Sequence, residues 1–123
     1  MTHLLGELLS QRDWLLADGA TGTTLFNMGL QSGDAPELWN ADHPDRIVQL
    51  YTGAVDAGSD LFLTNTFGGT AARLKLHDAQ NRVFELNKLG AEMGARLRTK
   101  PDEKSSLPGQ WVRRARSWRL LGR

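Results

Sequence analysis

Two short apolar runs are all that this sequence offers for building a sheet, and that scarcity constrains every fold it can adopt. The first is Trp14-Leu15-Leu16-Ala17, closed by Asp18-Gly19. The second is Asp60-Leu61-Phe62-Leu63-Thr64-Asn65-Thr66-Phe67, closed by Gly68-Gly69. Continuous apolar runs of this length suit buried parallel strands.

Helical patterns fill the rest of the body. Leucines at 4, 5, 8 and 9 predict a short helix ending near Gln11-Arg12-Asp13. Asp42 as a cap, Pro44 in the first turn and Asp45 near the positive helix end predict another. Ile47, Leu50, Tyr51, Ala54 and Val55 give it an apolar face, and Gly58 closes it. A short helix is expected over Thr70–Leu76, interrupted by His77-Asp78. Residues 79–96 predict the last helix, with Val83, Leu86, Leu89, Gly90, Met93 and Leu97 on one face. The stretch from Asp18 through Gly29, Gly33 and Pro36 reads as one long loop. Strands alternating with helices argue for an α/β fold of parallel βα units. Two units cannot close a sheet, because a (β/α)8 barrel needs about 250 residues and this chain has 123. An incomplete sheet with an unpaired edge is therefore expected.

Charge divides the sequence into two parts. Residues 1–96 carry seven Lys/Arg against twelve Asp/Glu, and residues 97–123 carry eight against two. Trp111 and Trp118 also fall in the basic part. No apolar stretch reaches the roughly 18 residues of a membrane span, and the start lacks the basic n-region of a signal peptide. The absence of cysteine excludes disulfides and cysteine-ligated zinc within the chain, and agrees with a cytoplasmic location.

In parallel α/β folds, chemistry collects at the C-terminal ends of strands. Here those ends are Asp18-Gly19-Ala20-Thr21 and Thr64-Asn65-Thr66. Asp18 could accept from a ligand ammonium, and the Gly19, Ala20 and Thr21 amides could receive a carboxylate. Asn65 and Thr66 could hold the ligand or steady the first loop. The competing reading makes Asp18-Gly19 a strand-end turn and Asn65 a loop hydrogen-bonder. A P-loop is excluded by the missing lysine, and no G-x-G-x-x-G follows the first run. Gly68-Gly69 before a helix is a weak anion signal and more simply a turn. His3, His43 and His77 lack metal-ligand spacing and read as capping or surface residues.

These residues carry a resemblance. Trp14 to Thr23, with Asp18-Gly19-Ala20-Thr21-Gly22-Thr23, resembles the first strand and loop of the homocysteine S-methyltransferase family. Ala35-Pro36-Glu37-Leu38-Trp39-Asn40 and His43-Pro44-Asp45 are similar to its next loop and helix start. Ala57-Gly58-Ser59-Asp60 through Thr64-Asn65-Thr66-Phe67-Gly68 is similar to its second strand, and Arg73 to His77 and Glu85-Leu86-Asn87 also fit. The likeness covers about residues 10–96 and looks nearest to bacterial betaine–homocysteine methyltransferase-like proteins. It implies the first two βα units of a (β/α)8 TIM barrel, in a cytoplasmic enzyme that methylates homocysteine to methionine. The resemblance also implies betaine or a similar donor, and zinc held by three cysteines. By the same resemblance Asp18 meets the homocysteine amino group, Gly19 and Ala20 its carboxylate, and Asn65 and Thr66 line the mouth. No residue here is assigned a catalytic role, and the missing cysteines leave no family zinc ligand in this chain. Residues 1–96 are thus expected to be an N-terminal piece of the barrel, inactive and poorly folded alone.

Residues 97–123 admit several readings. A nucleic-acid arm with arginines and stacking tryptophans would make the chain a non-enzymatic binding module, the less favoured alternative. A basic surface anchor and a disordered end are two others. The favoured reading is an out-of-frame translation beginning near Leu97. With allowed codons for Pro101 to Trp118, reading two bases later yields Gly-Ser-Val-Gly-Pro-Thr-Gly-Glu, a motif of the family's third strand. Coding DNA whose shifted frame spells no such motif would overturn that expectation.

Overall fold

The computed structural model describes residues 4–98. Of the basic segment 97–123, Leu97 and Arg98 are the last residues of a helix, and residues 99–123, on which the out-of-frame, disordered and nucleic-acid readings fall, lie outside the described residues.

Six α-helices order the described chain: α1 (Leu4–Gln11), α2 (Thr21–Asn27), α3 (Trp39–Asp42), α4 (Pro44–Asp56), α5 (Ala71–Leu74) and α6 (Val83–Arg98). Short 3-10 turns at Pro36–Leu38, Lys75–His77 and Gln80–Arg82 lead into or out of them. The four expected helices stand close to where the periodicity puts them, α1 ending at Gln11 as its leucine spacing predicts. Pro44 starts α4, and its end turns at Gly58, whose φ of 91° is a left-handed conformation that favours glycine. Thr70 caps α5 by accepting from the Arg73 amide, and Asp78 at φ 53° ends the turn that follows. α6 begins later than expected and continues past residue 96.

Other expectations are corrected. No β-strand forms among the described residues, so the two βα units expected here are not built. The two apolar runs do come side by side in parallel, but through one isolated bridge, Ala17 to Leu61. Leu16 O accepts from Asp60 N and Leu61 N, and Asp18 N donates to Leu61 O. Burial is what stabilises parallel strands, and here Leu16 and Leu63 stay 42% and 71% exposed. The expected long loop also contains α2, and the residues before Pro44 contain α3. Asp42 is accordingly the last residue of α3 rather than the cap of α4, whose cap position is His43.

The core lies among the helices. Leu25, Leu30, Trp39, Ile47, Tyr51 and Met93 form one buried cluster joining α2, α3, α4 and α6. Ala35, Leu74, Ala79 and Leu86 form a second beneath α5. The leucine face of α1 finds less cover, with Leu5 and Leu9 both more than half exposed. Arg12 then pairs with Asp60, tying the start of the first run to the start of the second. That ion pair and the bridge fix the relative register of the two run ends that carry the candidate site.

Candidate functional site

The first run ends in a turn with a fixed carboxylate. Asp18 donates its backbone N–H to Leu61 O at 3.2 Å, and its Oδ1 accepts Leu63 N–H at 3.3 Å. One oxygen of a half-buried carboxylate is thereby aimed along the second run. Ala20 follows in the left-handed conformation, φ 55° and ψ 29°, immediately before α2. Its carbonyl accepts from Thr24 N at 2.9 Å. The Gly19, Ala20 and Thr21 amides donate to no other described residue. A left-handed residue followed by helical ones points successive N–H groups toward one side, the geometry of an anion-binding concavity. Gly19 and Ala20 are exposed and Thr21 is half-buried.

The second run ends differently. Asn65 is 6% exposed, and its backbone groups and side-chain nitrogen are engaged inside the protein. Its Nδ2 donates to Pro36 O at 2.8 Å and to Asn40 Oδ1 at 2.9 Å. Those two bonds use both amide hydrogens. Its backbone N–H donates to the Tyr51 hydroxyl at 2.7 Å, and its carbonyl accepts from Asn40 Nδ2 at 2.9 Å. Thr66 is half-buried, and its hydroxyl lies 3.0 Å from that of Thr64. The turn beyond is held from two sides. Glu37, 5% exposed, accepts Gly68 N–H at 2.6 Å, and Asn87 Nδ2 donates to Gly69 O at 2.7 Å. Gly68 and Gly69 are buried and serve as this turn.

Burial raises the Tyr51 phenol above its ordinary value of 10.0, and the Asn65 amide partly opposes that by stabilising the phenolate. At neutral pH Tyr51 is a neutral hydroxyl that accepts from Asn65 and donates to Gly90 O at 3.1 Å.

The predicted residues therefore fall into two groups joined through the Asp18–Leu63 bond. Asp18, Gly19, Ala20 and Thr21 form an accessible turn, whereas Asn65 points its side-chain amide inward and Thr66 lies beside it. Sequence reasoning gave no role to Glu37, Asn40 or Asn87, and counted Tyr51 only as part of an apolar face. Asn40 finds its partners 25 and 46 positions away and Glu37 its partner 31 away, so no local pattern marks them. Of the histidines, His43 lies edge-on to Trp39 with ring centroids 5.2 Å apart.

Among the described residues no ligand set fits zinc. The sequence contains no cysteine, and no group of three or more His, Asp or Glu side chains converges among the described residues. No helix of the described residues is long and apolar enough to cross a membrane. An open groove on α6, lined by Asn81, Val83, Phe84, Asn87 and Lys88, contains none of the predicted residues.

Comparison with known proteins adds to this geometry. A family model described as Homocysteine S-methyltransferase matches residues 15–112, which span both run ends and reach into the basic segment. A methionine synthase of Mycobacterium leprae (strain TN) is 32% identical over 117 residues. That alignment covers 88% of this chain and 10% of the relative, so the chain spans about a tenth of the relative's length.

Proposed function

The chain belongs to the homocysteine S-methyltransferase family, and from that premise we propose that it supplies the amino-acid-binding part of a methyl transfer to homocysteine. In that reaction the homocysteine sulfur forms a bond to the methyl carbon while the donor's bond to that carbon breaks, giving methionine. Betaine or a similar compound is the proposed donor. Asp18 takes the substrate ammonium, because a half-exposed carboxylate with one oxygen already fixed is pre-aimed for a charge-assisted bond. The Gly19, Ala20 and Thr21 amides take the substrate carboxylate. Thr66 lines the same mouth, and Asn65 shapes it from behind. The reading rests on one observation above all: the Gly19, Ala20 and Thr21 amides, which donate to no other described residue, come directly after a fixed carboxylate.

No step through zinc is assigned to these residues, since the chain has no cysteine to hold it. Alone, the chain binds the amino-acid end of the substrate without turning it over. A ¹⁵N-edited NMR titration of the chain with L-homocysteine tests this. Saturable shifts at the Gly19, Ala20 and Thr21 amides, lost in Asp18→Asn, are expected. Absence of saturation, or saturation that leaves residues 18–21 unmoved, overturns the reading.

A further inference from the structure

Asn65 is the most heavily constrained residue of the second run end, and two side chains from the helical layer do most of the constraining. Asn40, in α3, is 1% exposed and uses all its polar groups. Its Nδ2 donates to Asn65 O and to Leu86 O, both at 2.9 Å, and its Oδ1 accepts from Asn65 Nδ2. Asn40 and Asn65 thus clasp each other reciprocally, while Leu86 O anchors the pair to α6. Tyr51, in α4 and 1% exposed, takes the Asn65 backbone N–H and gives its own proton to Gly90 O. The backbone donor, backbone acceptor and side-chain donor of Asn65 are all satisfied from behind.

α6 comes close enough to allow this because Gly90 lacks a side chain. A Cβ there would sit 2.8 Å from Asn40 Nδ2 and 3.0 Å from Thr66 Cγ2. The consequence reaches the accessible side. Thr64 and Thr66 flank Asn65 and share a hydroxyl hydrogen bond, and Leu63 N holds the Asp18 carboxylate. With the backbone pinned at Asn65, its neighbours present their groups in one arrangement.

We infer that Asn40 and Tyr51 are positioning residues of the homocysteine mouth, acting through Asn65, an inference that rests on the proposed function. Neither needs to touch substrate. Removing the Asn40 amide takes away the donor to the Asn65 carbonyl, one of the two acceptors of Asn65 Nδ2 and the side-chain donor to Leu86 O, and the run end relaxes to compensate.

The test is a double-mutant cycle on L-homocysteine affinity, measured on the full chain by NMR titration, with far-UV circular dichroism confirming that each variant keeps its helices. Asn40→Ala and Asn65→Ala are each expected to weaken binding about tenfold, the affinity equivalent of roughly one lost buried hydrogen-bond group. The double variant is expected to be no weaker than either single one, because both break the same clasp. Additive losses indicate two independent structural defects and overturn the inference, as does unchanged affinity in Asn40→Ala. Tyr51→Phe removes one hydroxyl and retains the ring. It carries the test if Asn40→Ala loses its helices, with a several-fold loss expected and unchanged affinity overturning the inference. Failure of the unaltered chain to saturate removes the functional reading and this inference together. Saturation by the unaltered chain with no effect of the variants removes the inference alone.

Discussion

The two run ends contrast in how their polar groups are used. After Ala17, the amides of Gly19, Ala20 and Thr21 have no described partner, and the backbone bends into the left-handed region at Ala20. After Leu63, Asn65 is locked by Asn40, Tyr51 and Pro36, and Gly68 by Glu37. Buried polar groups are normally satisfied by protein, so the second end is held by its own fold. The first end meets solvent and keeps its donors available. The difference separates the two ends by what holds them: the second is fixed by its own fold, whereas the first keeps amide donors that no described residue takes up.

Glycine replacements break this contrast most sharply. A Cβ on Gly68 would lie 2.8 and 2.9 Å from the two Glu37 carboxylate oxygens, in a turn whose N–H is already bonded to that carboxylate. Gly68→Ala is expected to destabilise the chain by about 1–3 kcal/mol, as overpacking does. At Gly19 an added Cβ meets nothing within 4 Å and the backbone has no positive φ. Gly19→Ala should change stability by no more than about 0.5 kcal/mol. Urea unfolding of the two variants, followed by circular dichroism, compares them directly. Equal losses would mean that the two ends are not held differently.

How much of this was legible in the sequence depends on what each residue is doing. α4 and α6 were readable because apolar residues recur every three to four positions and Pro44 and Gly58 punctuate the former. α2 was hidden because Thr21-Gly22-Thr23-Thr24 has loop composition, and its helix is secured by burying Leu25 completely. The strands were overread. The apolar runs pair, but strand pairing needs partners on the outer edges and cover on the faces, neither of which a local pattern reports. At the site, Asp18 and Asn65 stood out as polar residues following apolar runs. What the local pattern left open was whether Asn65 holds a ligand or bonds the loop; it turns inward to the loop, and its partners Asn40 and Pro36 lie 25 and 29 positions away. Long-range hydrogen bonding of this kind leaves no periodic trace.

Ala20 offers a way to sharpen the comparison from the accessible side. A non-glycine residue at φ 55° carries backbone strain that the second end, with no such residue between 61 and 70, does not carry. Ala20→Gly relieves the Cβ clash and loses some of that gain to the greater freedom of glycine in the unfolded chain. A net stabilisation of about 0.5–1 kcal/mol is expected. A rise in the thermal midpoint checks it, and a fall would show that the turn is not strained at Ala20.

The smallest effect at neutral pH, and the most specific to the locked end, is alkaline. Burial raises the folded-state ionisation of Tyr51 above 10.0. The unfolded chain therefore releases the phenolic proton first as pH climbs. Below about pH 10 both states hold the proton and Tyr51 contributes its full share to stability. Above that value the contribution is lost progressively, up to the folded-state ionisation. Tyr51→Phe has no proton to lose, so its stability should fall less steeply above pH 10 than that of the unaltered chain. The two proteins differ in that hydroxyl alone, so the difference between the two pH profiles isolates it. Parallel profiles would mean that Tyr51 is reached by water in the folded chain. The clasp around Asn65 would then be open, and the contrast between the two run ends would disappear.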